Sequence, residues 1–203
     1  MKSMNVEIRH ADEDDLLRIL EIYAPYITDS KISMEYTVPD LDEFITRYRN
    51  ITQFFPWIVC LVNQQIIGYA YASHAFSRIG YQWDASLTVY ISDEYQQKGI
   101  GNSLYQALFE ILEMQGIINL YGIISNVNLG SIRFHEKLGF HTEAIFQNAG
   151  YKFSEWVDVT WMLKRIRPLS KNPIPPKPFL QLKQEEMKLI FNKAAESIIS
   201  RNM

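Results

Sequence analysis

Tyr90-Ile91-Ser92-Asp93-Glu94-Tyr95-Gln96-Gln97-Lys98-Gly99-Ile100-Gly101-Asn102 is the stretch that decides the fold. A strand runs into a turn, a glycine pair follows, and a helix begins. Such a junction aims successive backbone N–H groups and the positive end of a helix dipole at one spot, where a pyrophosphate fits. Glycine at Gly99 and Gly101 lets a phosphate approach the backbone with no Cβ in the way. The spacing lacks the Lys-Ser or Lys-Thr of a Walker loop. It also does not follow the first strand of a βαβ unit, as a dinucleotide fingerprint does.

Working outward, Val6-Glu7-Ile8-Arg9 alternates as a half-buried strand. Asp12 sits where an N-cap belongs, ahead of the acidic first turn Glu13, Asp14 and Asp15 and the apolar face Leu16, Leu17, Leu20 and Tyr23. Pro39 opens a second short helix. Trp57 to Val62 and Ile66 to Ser73 read as strands joined by Asn63-Gln64-Gln65, and a further strand covers Tyr81 to Ile91. After the glycine pair comes a helix ending near Gly116. Then follow a strand over Ile118 to Ile124, a helix over Asn128 to Leu138, and strands over Phe140 to Gln147 and Trp156 to Leu163. This order predicts an α/β (α+β) fold, a mixed central sheet of about seven strands flanked by helices.

Residues 1–167 form the predicted domain. Pro168, Pro173, Pro175, Pro176 and Pro178 make 168–178 an extended, Pro-rich linker. Residues 179–203 carry Leu182, Met187, Ile190, Phe191, Ala194 and Ile198 at helical spacing, an amphipathic helix whose apolar face needs its own domain or another subunit.

Composition narrows the class. The chain of 203 residues is 47% hydrophobic and carries 20 Lys and Arg against 23 Asp and Glu, so it can fill a core and lacks the basic excess of a nucleic-acid binder. Cys60, the single cysteine, lies in an apolar strand and cannot form an internal disulfide; no metal-ligand spacing appears. No apolar run approaches the roughly 20 residues that span a bilayer, and Met1-Lys2-Ser3-Met4-Asn5 leads into a strand pattern. A soluble cytoplasmic protein with no membrane or nucleic-acid partner is the expectation.

Two motifs carry a family resemblance. Gln96-x-x-Gly99-x-Gly101 resembles the Arg/Gln-x-x-Gly-x-Gly/Ala loop with which the GNAT superfamily of acyl-CoA N-acyltransferases binds the CoA pyrophosphate. Asn128-x-x-Ser131-x-x-Phe134-His135-Glu136-Lys137-Leu138-Gly139-Phe140 resembles that superfamily's Asn-x-x-Ala-x-x-Leu-Tyr-Glu-x-x-Gly-Phe segment, with His in the Tyr place. A narrower likeness, to the phosphinothricin and methionine sulfoximine N-acetyltransferase subgroup, rests on Ser30-x-x-x-Met34-Glu35, Arg78-x-x-Tyr81-x-Trp83, Thr88-Val89-Tyr90 and Ala149-Gly150-Tyr151-Lys152.

The resemblance implies acetyl-CoA as co-substrate, no metal, a small amino-acid-like amine as acceptor, and a homodimer. It assigns CoA contacts to Val89, Ile91, Gln96, Gln97, Lys98, Gly99, Gly101, Asn102, Asn128 and Ser131, with Asn128 also a plain helix N-cap. Met34, Glu35, Arg78, Tyr81 and Trp83 fall to the acceptor, Arg78 as a clamp for a carboxylate. His135 is the catalytic candidate, since a neutral imidazole passes protons near pH 7. The subgroup's usual glutamate base is here Ser86, a hydroxyl that is no base at neutral pH. Asp84 shares its strand face but sits roughly 6–7 Å along the strand; Glu35 or a water chain are alternatives. The subgroup's Trp-His-Asp-Val is here Trp156-Val157-Asp158-Val159. Two other readings stand beside the enzyme: the same fold acting on a polyamine or protein N-terminus, and a non-catalytic acyl-CoA sensor.

Overall fold

A computed structural model describes residues 5–201; the N-terminal reading of Met1 to Met4 and the last two residues of the tail lie outside them. Seven strands form one sheet in the order β1-β2-β3-β4-β5-β7-β6. They are β1 (Val6–His10), β2 (Trp57–Val62), β3 (Gln65–His74), β4 (Asp84–Ile91), β5 (Asn119–Ser125), β6 (His141–Lys152) and β7 (Glu155–Arg165). The helices are α1 (Leu16–Thr28), α2 (Leu41–Thr52), α3 (Ile100–Gln115), α4 (Leu129–Lys137) and α5 (Gln184–Arg201). Among the described residues only β4 and β5 run parallel, joined by α3 as the crossover that a parallel pair requires.

β2 shows how the layers form. Trp57, Val59 and Leu61 pack with α1 and α2 on one face, while Ile58, Cys60 and Val62 join the larger core under α3 and α5 on the other. A strand with two buried faces needs the continuous apolar run that it has.

The expected element order holds, with local corrections. Asp12 caps the first helical turn in a capping box with Asp15. Asp40, rather than Pro39, caps α2, its carboxylate accepting the Glu43 N–H at 2.8 Å. The β2–β3 turn needs only Asn63 and Gln64, at φ 48° and 69°, the paired positive torsions that suit a two-residue hairpin. β4 starts at Asp84 because Ile79–Tyr81 wind into a 3₁₀ turn. The last two strands are longer than predicted and meet in a turn at Phe153 and Ser154.

The proline-rich segment is extended and pinned: Trp83 Nε1 donates to the Ile174 carbonyl at 2.9 Å, and the Lys177 N–H donates to the Gln115 carbonyl at 2.9 Å. Beyond it, Phe179, Leu182, Met187, Ile190, Ala194 and Ile198 enter the main core, so α5 covers α3 and β1 of its own chain.

Candidate active site

β4 and β5 pair at only three positions, Asp84↔Asn119, Ala85↔Leu120 and Ser86↔Tyr121, and then diverge. The cleft that opens is lined by Leu87 to Tyr90 of β4, Ile123 to Ser125 of β5, Asn128, Ser131 and His135 around α4, and Tyr105 of α3. The β3–β4 ladder fixes which backbone groups face it. The Ser92 N–H donates to the Ile67 carbonyl and the Ala75 N–H to the Asp84 carbonyl, so the even-numbered residues of β4 bond to β3. Leu87, Val89 and Ile91 therefore turn their N–H groups toward the cleft. The Ile91 carbonyl on that side is taken by the Tyr26 hydroxyl at 2.6 Å. Ser125 Oγ is buried in the cleft without a partner among the described residues.

The turn after β4 closes one end. Gln96 donates to Asp93 Oδ1 at 2.7 Å and to Tyr26 Oη at 3.0 Å, so its side chain braces the turn. Gln97 and Gly99 have φ of 60° and 80°, and Gly99 forms the N-cap of α3 with no side chain across it. The first helical bond runs from the Ser103 N–H to the Gly99 carbonyl at 3.1 Å. The N–H groups of Ile100, Gly101 and Asn102 precede it and point out along the helix axis. Lys98 lies 4.8 Å from the centre of the Tyr95 ring. A Cβ on Gly101 would have Phe134 and Val89 as its nearest neighbours, at 3.6 Å or more, whereas Gly99 lies in the left-handed region that favours glycine.

His135 is 3% exposed. Its Nδ1 is 2.8 Å from the Ser131 carbonyl, which accepts only from an N–H. The neutral ring therefore carries its lone pair on Nε2, which stands 3.3 Å from Tyr105 Oη and accepts from it. Burial pushes the imidazole below its ordinary pKa, partly opposed by the bond to Ser131. Asn128 does cap α4, its Oδ1 accepting the Ser131 N–H at 3.0 Å, and its Nδ2 hydrogens are unengaged among the described residues.

The opposite sheet face carries Asp84, Ser86, Thr88 and Tyr90. Tyr90 packs against Tyr23 and Tyr26 in tilted contacts, with ring centres 4.8 and 4.7 Å away. Asp84 is buried at the paired base of β4 and β5, where Asn119 Nδ2 donates to it at 2.8 Å; burial raises its pKa. Ser86 stands between Asp84 and the open cleft. Glu35 Oε1 accepts from Tyr23 Oη at 2.9 Å and from Arg47 Nη1 at 2.7 Å. The loop holding Met34 and Glu35 is fastened by Lys152, 1% exposed, whose ammonium donates to the Ile27 and Ser33 carbonyls at 2.6 and 2.7 Å.

Arg78, Tyr81 and Trp83 all lie in the segment that leads into β4. Arg78 is exposed in the loop before β4, Tyr81 leans on Phe76 at 4.8 Å, and the Trp83 indole is committed to Ile174. Sequence reasoning missed Tyr105, Arg47, Ser125 and the fastening role of Lys152. The signal for Tyr105 was its place one turn after Gly101; Arg47 had none beyond its charge. No group of three or more metal-binding side chains occurs among the described residues.

Residues 8–161 match the Acetyltransferase (GNAT) domain family. The chain is 32% identical to the phosphinothricin N-acetyltransferase of Streptomyces viridochromogenes, across 85% of this chain and 92% of that one. It is 31% identical to the L-methionine sulfoximine/L-methionine sulfone acetyltransferase of Pseudomonas aeruginosa, across 84% of this chain and 100% of that one. The crystal structure of a phosphinothricin acetyltransferase from Sinorhizobium meliloti in complex with AcCoA superposes with a TM-score of 0.78 at 27% identity, covering 87% of this chain and 98% of that one.

Proposed function

The chain belongs to the GNAT acetyltransferase family, and on that premise we propose that it transfers acetyl from acetyl-CoA to the amine of a small amino-acid-like substrate of the phosphinothricin or methionine sulfoximine type. The observation that carries this reading is the splayed β4–β5 cleft, with the Leu87, Val89 and Ile91 amides on one side and the start of α3 at its end. Ser125 Oγ, buried there without a partner among the described residues, fits a polar acyl-CoA arm. Acetyl-CoA supplies the activated acyl group when bound.

The chain's own groups divide the remaining work. The amides of Ile100 to Asn102 hold the pyrophosphate, with Gln97 and Lys98 beside them, and Asn128 Nδ2 donates to the arm. The Val89 and Ile91 amides polarise the carbonyl oxygen as it gains charge. His135 holds the Tyr105 hydroxyl from Nε2, and the pair manages the proton on the sulfur side. On the other face Asp84, with its raised pKa, receives the ammonium proton through Ser86 and a water chain. Met34 and Glu35 border the acceptor, with Arg47 paired to Glu35, and Arg78 is the clamp for its carboxylate.

A cytoplasmic homodimer completes the proposal. The edge strand β6 and its hairpin expose Ile145, Phe146, Tyr151, Phe153 and Trp156, an apolar edge that a second copy would cover.

Thiol release from acetyl-CoA, measured with a panel of free amino acids that includes phosphinothricin and methionine sulfoximine, tests the reading. Turnover with an α-amino acid supports it. CoA binding with no turnover across the panel overturns the acceptor class and favours the sensor reading that Ser86 in the glutamate position raises.

A further inference from the structure

α5 lies beyond the residues matched to the family, 8–161, and the methionine sulfoximine relative is matched over its whole length by 84% of this chain. Its position is informative. Ser197 of α5 meets Ser103 of α3 at 2.6 Å between hydroxyl oxygens, and Lys193 meets Glu110 at 2.6 Å. The two helices therefore run antiparallel, and the C-terminal end of α5 lies against the N-terminal turn of α3.

The direction of the serine bond follows from its neighbours. Ser197 Oγ spends its hydrogen on the Ala194 carbonyl at 2.8 Å, so it accepts from Ser103. Ser103, 1% exposed, is also the residue whose N–H closes the first turn on the Gly99 carbonyl. On the protein side of that turn Ile198 packs into the same core as Ile100 and Leu104.

We propose that α5 is a clamp on the acyl-CoA-binding end of α3, with Ser197 as a positioning residue that holds Ser103 and, through it, the Gly99–Asn102 turn. The inference rests on the functional reading above, which places the CoA pyrophosphate at that turn. Helix ends fray unless something fastens them. A frayed first turn must be ordered by the ligand, which lowers affinity without touching the chemical step. The Lys193–Glu110 pair is exposed and contributes little, whereas the serine bond is sheltered.

Full-length Ser197→Ala, Ser197→Thr and wild type are compared for CoA binding by calorimetry, for steady-state kinetics, and for amide hydrogen exchange at residues 100–104 without ligand. The expected result for Ser197→Ala is a Kd for CoA and a KM for acetyl-CoA raised about two- to tenfold, the range of one net hydrogen bond. Its kcat stays unchanged, its exchange at 100–104 is faster, and Ser197→Thr restores all three. Ser197→Ala with wild-type CoA affinity and exchange, whatever its melting temperature, overturns the clamp and leaves α5 as a cover for the core. Wild type that binds no CoA overturns the clamp together with the functional reading.

Discussion

His135 lies flush against the backbone of Gly122: a Cβ on Gly122 would stand 2.8 Å from both Cδ2 and Nε2 of the imidazole. The ring cannot retreat, because Tyr105, Phe134 and Phe140 surround it with ring centres 5.4, 5.4 and 5.0 Å away. Its Nε2 faces Tyr105 only while β5 offers a bare backbone at this point. Gly122→Ala should therefore cost about 1–3 kcal/mol in overpacking and break the His135–Tyr105 contact. The expected kinetic signature is a fall in kcat with CoA affinity within about twofold of wild type. A variant with full kcat would show that the contact takes no part in turnover.

Burial of His135 makes a second prediction, with a definite sign. The folded site disfavours the imidazolium, so its pKa lies below the ordinary 6.5. As pH falls beneath that value the unfolded chain takes up a proton that the folded site resists, and the stability present above it is lost. His10 and His74 are shifted the same way by burial. The melting temperature should fall between pH 7 and pH 5. An NMR titration should put the His135 midpoint below 6.5; a midpoint at or above it refutes the buried neutral tautomer.

What the sequence disclosed tracks how local each cause is. Gly99 was legible because a turn with φ of 80° needs glycine within the motif itself, and Asn128 because a cap bonds three residues ahead. β4 was begun too early because Tyr81 and Trp83 look like strand residues. Their actual roles depend on a 3₁₀ turn and on Ile174, which lies 91 residues away. Tyr105 and Lys152 were missed for the same reason: their partners lie 30 residues away for Tyr105 and 119 and 125 for Lys152. No window of periodicity spans such distances.

Lys152 offers a test of the loop that carries Met34 and Glu35. Burial depresses its pKa, and Glu35 partly opposes that shift. Lys152→Met keeps the length of the stem and removes both donations, leaving the Ile27 and Ser33 carbonyls without the ammonium. Each unsatisfied buried acceptor costs about 1–3 kcal/mol, offset in part because the burial of a charge is also relieved. The melting temperature should drop by a few degrees, and KM for the acceptor should rise while CoA affinity holds. An unchanged acceptor KM would separate the loop from substrate binding.

The last prediction concerns the base. Asp84 is held by Asn119 at the end of β4 where the strands are still paired, and Ser86 lies on the same face nearer the open cleft. If Asp84 receives the amine proton through Ser86 and water, Asp84→Asn should lower kcat by about 10²–10⁴, the usual contribution of a general base, and leave CoA affinity intact. Ser86→Ala should produce a smaller loss, since water can bridge the gap left by one hydroxyl. Ser86→Glu brings a carboxylate roughly 6–7 Å closer along the strand, to the position the subgroup uses for its glutamate. In the Asp84→Asn background that change should restore turnover and shift the acidic limb of the pH–rate profile to the new carboxylate. Asp84→Asn with wild-type kcat would remove Asp84 from the mechanism. The proton would then leave through Glu35 or a water chain, and a fall in kcat for Glu35→Gln alone would assign it to Glu35.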